Sequence, residues 1–418
     1  MKKAVVIGAG ITGIATALYL KEKKFDVEIY EASKDIGGIL RDTQFDQNLY
    51  FTNCQYLNTN SKWMELFFND QFYKHFLSFE HTYTSYTDLF DKTSINHEYA
   101  MPVSEQIINI PKIEKNKKIK SINERFSFYG PSHKKALINF SSKYFKDISK
   151  LHHSFVYPTQ LSRLYFKNLK EVINVKKTSK IVNELFGLPR SKLSIKNELK
   201  SSIPVNGYNN FFNDVENFLE KLNIKVFCSK PIKPVLNNYQ NKNPVSLFYK
   251  NEKIKADLIV WCSNPTPLIK VCKFGILDNP FTKFKSIYLK ANHDYKIDKP
   301  HYIQVFSKKT NITRIYMYPL INKNVKLTIE KIEDKNDFNK DIDSTKDILQ
   351  KCNFDVKIKF ENHYSNQKRH ILYTYEDLKK FRKMDDFVNN KNFICGAWTK
   401  YGRDEKINYI YKKIDELL

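Results

Sequence analysis

A glycine-rich turn near the N-terminus constrains the fold of this chain more than any other sequence feature. Lys3–Ile7 is a β-branched run that predicts a strand, and residues 11–24 carry apolar side chains at helical spacing. Gly8, Gly10 and Gly13 lie between them in the pattern GxGxxG. In this context the first glycine permits a tight turn, the second lets a pyrophosphate approach the helix N-terminus, and the third allows close helix–strand packing. The chain is therefore predicted to begin with a dinucleotide-binding βαβ unit.

An acidic residue follows the second predicted strand. The run Val27–Tyr30 is that strand, and Glu31 comes directly after it. A carboxylate at this position accepts hydrogen bonds from a ribose diol and disfavours a 2′-phosphate. These residues alone suit NAD and FAD equally well. Downstream lies a second glycine pair, Gly37-Gly38, with Arg41 close behind.

The segment VVIGAGITGIATALYLKEKKFDVEIYEASKDIGGILRD, residues 5–42, resembles the flavin amine oxidase superfamily, in which a second glycine pair follows the acidic residue. The resemblance implies FAD as the cofactor. An NAD-only enzyme and a chain without any cofactor are the alternatives. Within this segment the resemblance implies cofactor contacts at Gly8, Gly10, Ile11, Thr12, Gly13, Glu31, Ala32, Gly37, Gly38, Ile39, Leu40 and Arg41.

Weaker similarities to the same superfamily follow in order along the chain. Residues 202–222 are similar to its Pro-x-Gly-Gly-Tyr turn and the helix after it, with Asn206 in place of the first glycine. The next strand is then the one that meets the adenine, near Ile232. The segment NFICGAWTKYGRDEKINYIYKKI is similar to the C-terminal flavin-binding segment. The contacts that it implies are Gly396, Arg403, Lys406 and Ile407.

The predicted fold class is α/β, with a Rossmann-like FAD-binding domain of the GR2 type interleaved with a mixed sheet-plus-helix substrate domain. A chain of 418 residues exceeds the usual size of one core, so two domains are expected. The predicted FAD-binding domain comprises residues 1–60, 202–268 and 385–418. The predicted substrate domain comprises residues 61–201 and 269–384.

Three local predictions accompany this division. Lys253–Trp261 reads as one buried strand that leads to a proline-containing turn beside the flavin. Alternating segments between Phe284 and Ile329 predict an antiparallel sheet. Dense alternating charge over 331–347 predicts an exposed connector or surface helix.

Charge and cysteine content limit the classes of partner. The net charge is +25, and of the 70 basic residues only eight are arginine. The lysines are scattered, which is typical of a solvated cationic face, so no nucleic-acid partner is predicted. The six cysteines form no CxxC or Cys/His cluster, so neither a metal site nor a disulfide framework is predicted. No leader sequence and no apolar run of about 18 residues is found, so a cytoplasmic protein is expected, with peripheral membrane contact left open. The oligomeric state is not predicted.

The substrate prediction depends on a local resemblance to UDP-galactopyranose mutase. The stretch NCQYLNTNSKWM and the strand ITRIYMY are similar to substrate-side segments of that family. Both histidines of the family's loop are replaced here, by Gln55 and Asn58, and its Gly-Gly-Asn is Gly37-Gly38-Ile39, which counts against mutase activity. The predicted substrate-binding residues are Asn58, Trp63, Arg163, Arg190, Arg314 and Tyr401.

The resemblance thus implies an FAD-dependent oxidoreductase that acts on a sugar nucleotide or other anionic small molecule in surface-glycan biosynthesis. One alternative is a mutase-like isomerase that uses reduced FAD as a nucleophile. Another is a flavin-binding or scaffold protein without turnover. The sequence identifies no catalytic base.

Overall fold

The computed structural model describes most of the chain. The described residues are 1–45, 48–52, 56–58, 61–66, 76–80, 82–90, 92–97, 101–102, 119–165, 174, 200–237, 244–277, 281–293, 299–319, 324–333, 338–389, 392–400 and 402–418. They form two compact units. Unit 1 comprises residues 1–78, 201–278 and 376–418, and unit 2 comprises residues 79–200 and 279–375.

The described chain contains α-helices and β-strands in both units. The helices are α1 (Ile11–Glu22), α2 (Ile122–Phe126), α3 (Pro131–Ser142), α4 (Gly207–Lys221), α5 (Thr266–Val271), α6 (Phe338–Lys351), α7 (Tyr375–Val388) and α8 (Arg403–Leu417). The strands are β1 (Lys3–Ile7), β2 (Asp26–Tyr30), β3 (Thr43–Phe45), β4 (Asn48–Tyr50), β5 (Leu57–Asn58), β6 (Phe76–Glu80), β7 (Thr82–Thr87), β8 (Ser94–Asn96), β9 (Met101–Pro102), β10 (Leu164–Tyr165), β11 (Lys200–Pro204), β12 (Lys225–Phe227), β13 (Lys233–Leu236), β14 (Val245–Tyr249), β15 (Glu252–Ile254), β16 (Leu258–Trp261), β17 (Phe281–His293), β18 (His301–Phe306), β19 (Ile312–Pro319), β20 (Asn324–Ile332), β21 (Val356–Ile371) and β22 (Phe393–Cys395).

Unit 1 is built on a five-stranded sheet with the order β12-β2-β1-β16-β22. Every adjacent pair in this sheet is parallel. Strands buried on both faces read as continuous apolar runs, and AVVI in β1 and LIVW in β16 fit that rule. The predicted α/β class with a Rossmann-like domain is confirmed.

Helices α1 and α8 pack together in the core of unit 1. The rings of Tyr19 and Tyr411 stack with centroids 3.9 Å apart, and the Tyr411 hydroxyl donates to the Ala15 carbonyl at 2.9 Å. Trp63, Met64 and Phe76 belong to the same core, so the first segment of unit 1 continues past residue 60. The assignment of cofactor and substrate roles to the two stretches of chain stays a prediction.

The segment Lys253–Trp261 forms two strands where one was predicted. β15 pairs antiparallel with β14 in a three-stranded sheet, whereas β16 joins the parallel sheet beside β1. The chain leaves one sheet and enters the other around Asp257, whose carboxylate accepts the Lys3 backbone N–H at 2.8 Å. The lysines that precede Asp257 suit solvent rather than the interior of a parallel sheet.

Unit 2 contains a seven-stranded sheet with the order β21-β17-β20-β19-β18-β7-β8. The pairs among β17 to β20 are antiparallel, which confirms the sheet predicted between Phe284 and Ile329. One face of the sheet packs against α6 through Ile342, Ile348 and Leu349.

The charged segment 331–347 was predicted as an exposed connector or surface helix, and it contains a surface helix, but it is not exposed throughout. Much of it belongs to α6, which is amphipathic and buries one face. Lys331 is itself buried, and its ammonium lies 2.7 Å from the Asp341 carboxylate. Burial is tolerated here because the charge is paired at short range. A charge pattern alone does not distinguish such a pair from a solvated one.

Candidate functional site

A cavity of about 520 Å³ lies in unit 1 at the carboxyl ends of β1 and β16. In open parallel sheets this edge is where ligands bind. The residues that line the cavity are Gly8, Gly10, Ile11, Thr12, Gly13, Glu31, Gly37, Gly38, Ile39, Leu40, Cys262, Ser263, Gly396, Ala397, Trp398, Arg403 and Lys406. Most of the predicted cofactor-binding residues are thus brought together around one space.

The three glycines of the first turn have different surroundings. Gly8 has φ +101°, a conformation that L side chains rarely adopt. A Cβ on Gly13 would lie 1.8 Å from the carbonyl oxygen of Gly8, so only glycine lets α1 pack this closely on β1. A Cβ on Gly10 would meet no atom within 4 Å. Gly10 therefore borders open space on the side of the cavity.

The N-terminus of α1 is available for an anion. Gly10 is its N-cap residue and offers no side chain, and the first helical bond runs from the Ile14 N–H to the Gly10 carbonyl at 3.0 Å. The N–H groups of Ile11, Thr12 and Gly13 precede that bond and have no acceptor within the helix. These donors, together with the helix dipole, are suited to a phosphate group.

The Glu31 carboxylate is held in place by the backbone. Its Oε2 accepts the Ala9 N–H at 2.7 Å and its Oε1 accepts the Ser33 N–H at 2.8 Å. Each carboxylate oxygen can accept a second hydrogen bond. Glu31 is therefore oriented on the cavity wall with capacity for two hydroxyl donors.

The second glycine pair lies directly beside the first turn. The Gly37 N–H donates to the Ala9 carbonyl at 2.8 Å, and Gly37 has φ +102°. A Cβ at Gly37 would come within 2.4 Å of the Phe212 ring, so this close approach also requires glycine. Arg41 stabilises this turn, because its Nε donates to the Ile36 carbonyl at 2.6 Å.

The opposite wall comes from the C-terminal segment. The Gly396 N–H donates to the Trp261 carbonyl at 2.8 Å, which joins the end of β22 to the end of β16. Arg403 and Lys406 lie in the first turns of α8, and the Lys406 ammonium is 5.5 Å from the centre of the Trp398 ring. Burial lowers the pKa of Lys406. The cavity thus has a second cationic side, distant in sequence from the glycines.

Four residues of the lining were not among the predicted contacts: Cys262, Ser263, Ala397 and Trp398. Each follows a parallel strand of the sheet, so the rule that ligands bind at the carboxyl edge would have identified them. Burial raises the pKa of Cys262 to about 12, which keeps its thiol protonated.

Four predicted cofactor contacts lie outside this lining. Ala32 is exposed, Arg41 and Ile232 are half-buried, and Ile407 is fully buried in the core of unit 1. Near Ile232, the Lys230 N–H donates to the Glu31 carbonyl at 2.8 Å. The contact predicted for Ile232 stays a prediction.

Two predicted substrate residues meet at one carboxylate in unit 1. Trp63 Nε1 donates to Asp404 Oδ1 at 2.7 Å, and Asn58 Nδ2 donates to Asp404 Oδ2 at 3.2 Å. In the same region Arg403 Nη1 donates to the Tyr56 carbonyl at 3.1 Å. These bonds connect the chain around Asn58 to the first turn of α8.

The two described arginines among the substrate predictions belong to unit 2. The Arg163 side chain is buried. Its guanidinium carbon lies 4.9 Å from the ring centres of both Tyr83 and Tyr302. Arg314 Nη1 lies 2.9 Å from the buried Glu330 carboxylate. Arg190 and Tyr401 lie outside the described residues, as do Gln55, Thr59 and Asn60.

Part of the chain is similar in sequence to known proteins. A family model described as an NAD(P)-binding Rossmann-like domain matches residues 6–70. Over 40 residues the chain is 50% identical to a 1-hydroxycarotenoid 3,4-desaturase of Flavobacterium sp., a match that covers 10% of this chain and 8% of that relative.

Solved structures match over nearly the whole chain at low identity. Reduced UDP-galactopyranose mutase superposes with a TM-score of 0.65 at 12% identity, covering 100% of this chain and 94% of that one. A putrescine oxidase redesigned in its cofactor binding gives a TM-score of 0.59 at 10% identity, with 100% and 98% covered. The N-terminal match and the shared fold confirm the resemblance seen in the sequence: the chain has the fold of the flavin amine oxidase-like superfamily.

Proposed function

We propose that the cavity of unit 1 binds FAD and that the chain is an FAD-dependent oxidoreductase. The observation that supports the proposal is that the α1 N-terminus, Glu31 and the cationic first turns of α8 line one cavity. The surroundings of Gly10 fit a bound dinucleotide, since a Cβ at Gly10 would project into space that is otherwise open. A pyrophosphate needs that close approach to the backbone.

Different residues of the cavity would contact different parts of the dinucleotide. Glu31 would accept the hydroxyls of the adenosine ribose, and the N–H groups of Ile11 to Gly13 would donate to the pyrophosphate. Arg403 and Lys406 would offset negative charge at the other wall. The chemistry that bound FAD supplies is hydride transfer, while the protein binds, orients and excludes water.

FAD is favoured over NAD by features beyond the first turn. The family model at residues 6–70 is described as NAD(P)-binding, and the first turn with Glu31 would serve either cofactor. The second glycine pair and the C-terminal wall enlarge the site beyond that motif. FAD has the longer body that such an enlarged site suits.

The substrate that we propose is an anionic metabolite, with a sugar nucleotide of surface-glycan biosynthesis as the leading candidate. Support comes from the arginines. The Arg163 guanidinium lies within cation–π distance of the Tyr83 and Tyr302 rings, 4.9 Å from the centre of each. Arg163 is the better position for a test, because a substitution there leaves the Arg314–Glu330 ion pair in place.

The cofactor proposal is tested by purifying the chain and recording its absorbance with and without added FAD. A yellow protein with about one flavin per chain is expected. Gly10→Ala should stay folded and lose FAD affinity at least tenfold, because the methyl group occupies the space needed by the pyrophosphate. Gly130→Ala is the matched control, since Gly130 is also an extended N-cap residue but belongs to unit 2. A folded wild-type protein that remains colourless with excess FAD, or that binds NAD instead, contradicts the proposal.

The substrate proposal is tested on the flavin-loaded protein under anaerobic conditions. UDP-sugars, dTDP-sugars and amines are each mixed with the protein while flavin absorbance is followed. Bleaching by a nucleotide sugar supports the oxidoreductase. Turnover that requires prior reduction with dithionite indicates the mutase-type isomerase instead. Arg163→Gln should weaken binding of the active anionic compound roughly tenfold, and unchanged affinity argues against the role assigned to Arg163.

A further inference from the structure

A small apolar cluster is exposed on unit 1, away from the cavity lining. Ile276 is 89% exposed and Phe387 is 37% exposed. Phe274 packs edge-on against Phe387, with ring centres 5.5 Å apart. Single exposed apolar residues are ordinary. Here Ile276 lies two residues after Phe274 on one loop, Phe274 contacts Phe387 of α7, and Lys380 of α7 binds the Ile276 carbonyl. Phe274, Ile276 and Phe387 are called the apolar tip below.

The loop that carries Ile276 is held by several bonds. It follows α5, where the Phe274 N–H donates to the Ile269 carbonyl at 3.2 Å. Lys273 and Gly275 both have positive φ, +59° and +91°, which turns the chain sharply outward. Lys380 of α7 donates from Nζ to the Ile276 carbonyl at 2.5 Å. Ile276 is thus presented to solvent by a defined conformation, and its docking would cost little additional ordering.

Lysines surround the apolar tip. Lys270 and Lys273 lie on the α5 side, and Lys383 lies one helical turn before Phe387 on the same face of α7. All three are exposed, and within the described residues no carboxylate lies within ion-pair distance of them. The nearest carboxylates in the sequence, Asp385 and Asp386, line a separate pocket together with Arg382, Asn389, Tyr409 and Lys413. Lys270, Lys273 and Lys383 are called the basic rim below.

We propose that the apolar tip and the basic rim form a docking surface for an anionic lipid bilayer. Isoleucine and phenylalanine side chains suit the boundary between headgroups and acyl chains, and lysines beside them attract anionic headgroups. In the described part of the chain no helix is long and apolar enough to cross a membrane, so the contact is interfacial. The net charge of +25 adds a long-range attraction to such a surface.

The size of the patch favours a lipid over a protein partner. A stable protein interface buries on the order of 800 Å² on each partner. The surface has three apolar side chains and three lysines, whereas such an interface uses about 20–30 residues on each side. A bilayer, in contrast, makes no demand for shape complementarity and rewards insertion of one or two apolar side chains.

The proposal is tested by co-sedimentation of the full chain with vesicles. Neutral phosphatidylcholine vesicles are compared with vesicles that also contain phosphatidylserine, at low and high salt. Binding is expected to the anionic vesicles and to weaken with salt. Replacing the basic rim, Lys270→Ala/Lys273→Ala/Lys383→Ala, should lower the partition coefficient roughly a hundredfold, and Ile276→Ser roughly tenfold.

Matched controls separate this surface from general charge and hydrophobicity. Lys225→Ala/Lys233→Ala/Lys253→Ala removes three other exposed lysines of unit 1, and Val205→Ser removes another exposed apolar side chain. Both should bind vesicles nearly as wild type does. Equal loss in the controls, or no binding of the wild type to anionic vesicles, overturns the proposal. Sedimentation velocity tests whether the surface instead binds a second copy of this chain. If the wild type is a dimer and Ile276→Ser is a monomer, the surface is a contact between copies, and the lipid proposal is overturned.

Discussion

Gly13 and Gly10, both at the start of α1, have opposite surroundings. Gly13 faces the protein, where a Cβ would lie 1.8 Å from the Gly8 carbonyl oxygen, whereas Gly10 faces open space. The same glycine motif therefore contains one position where packing requires glycine and one that borders open space, where we propose that a ligand requires it.

We predict that Gly13→Ala lowers the free energy of unfolding by about 3 kcal/mol or more, because backbone atoms must move apart to admit the methyl group. Gly10→Ala should cost no more than about 1 kcal/mol, the usual penalty for alanine at an N-cap position. Urea denaturation followed by circular dichroism measures both values. Equal destabilisation by the two substitutions would show that the packing of α1 on β1 differs from that described.

A second residue-scale prediction concerns Asp385. Burial, with added repulsion from Asp386, raises the pKa of its carboxyl to about 7, although a hydrogen bond with Cys395 partly opposes the rise. In the unfolded chain the ordinary pKa is about 3.9. Between about pH 4 and pH 7 the folded chain retains a proton that the unfolded chain has lost. The free energy of unfolding therefore falls as pH rises through this window, by on the order of 4 kcal/mol, and then levels off.

The check is a series of urea denaturations at pH values from 4 to 8. Asp385→Asn should remove this slope and be more stable than the wild type at pH 8, since the amide carries no charge to bury. Asp343→Asn, an exposed position on α6, controls for the loss of one carboxylate. A slope that persists in Asp385→Asn would assign it to another group.

At the scale of elements, α8 depends on a buried anchor as well as on its own cap. Asp404 accepts hydrogen bonds from Trp63 and Asn58, and these bonds connect its first turn to an N-terminal segment. At the solvent side the Gly402 N–H donates to the Glu405 carboxylate at 3.4 Å. Because Arg403 and Lys406 lie in the same turns, the position of α8 also determines the second wall of the cavity.

We expect Asp404→Ala to lower the free energy of unfolding by about 2 kcal/mol, because it leaves the buried Trp63 indole N–H without its acceptor. It should also weaken FAD binding. Glu405→Ala, at the adjacent exposed position, should cost about 0.5 kcal/mol and leave FAD affinity unchanged. Thermal melting, Trp fluorescence and flavin titration separate these effects. If both variants behave alike, the anchor contributes nothing beyond helix capping.

On the scale of the whole molecule, neither unit is continuous in the sequence. The parallel sheet of unit 1 takes β1 and β2 from the first segment, β12 and β16 from the second, and β22 from the third. The cavity draws its lining from the same three segments. Folding of the site therefore requires contacts between residues hundreds of positions apart.

A fragment of residues 1–200 should accordingly neither melt cooperatively nor bind FAD, because β1 and β2 alone leave an apolar parallel pair without its neighbours. Co-expression with residues 201–418 should restore both properties to some extent. Circular dichroism and flavin titration of the two preparations measure this. Stoichiometric flavin in the 1–200 fragment would show that the first segment is sufficient.

Local sequence patterns predicted the helices and strands well where one pattern corresponded to one element. The βαβ unit with Gly8, Gly10 and Gly13, the helix after residue 206, and the strands β18 to β20 follow from periodicity and turn chemistry. The pattern was insufficient at Lys253–Trp261, where two strands of different sheets adjoin, and at Lys331, which is buried in an ion pair. In both cases the deciding contacts are between separate secondary-structure elements.

The sequence by itself determined the parallel βαβ start and the acid after β2, because a glycine turn and a strand–helix alternation restrict the backbone locally. Only the tertiary structure decided which residues share the cavity. Cys262, Ser263 and Trp398 line it because β16 and β22 happen to end at the same edge as β1, whereas Ile407 points into the core. Likewise Asn58 and Trp63 meet Asp404 through contacts across more than 340 positions. Such juxtapositions depend on strand order and packing, which no local pattern encodes.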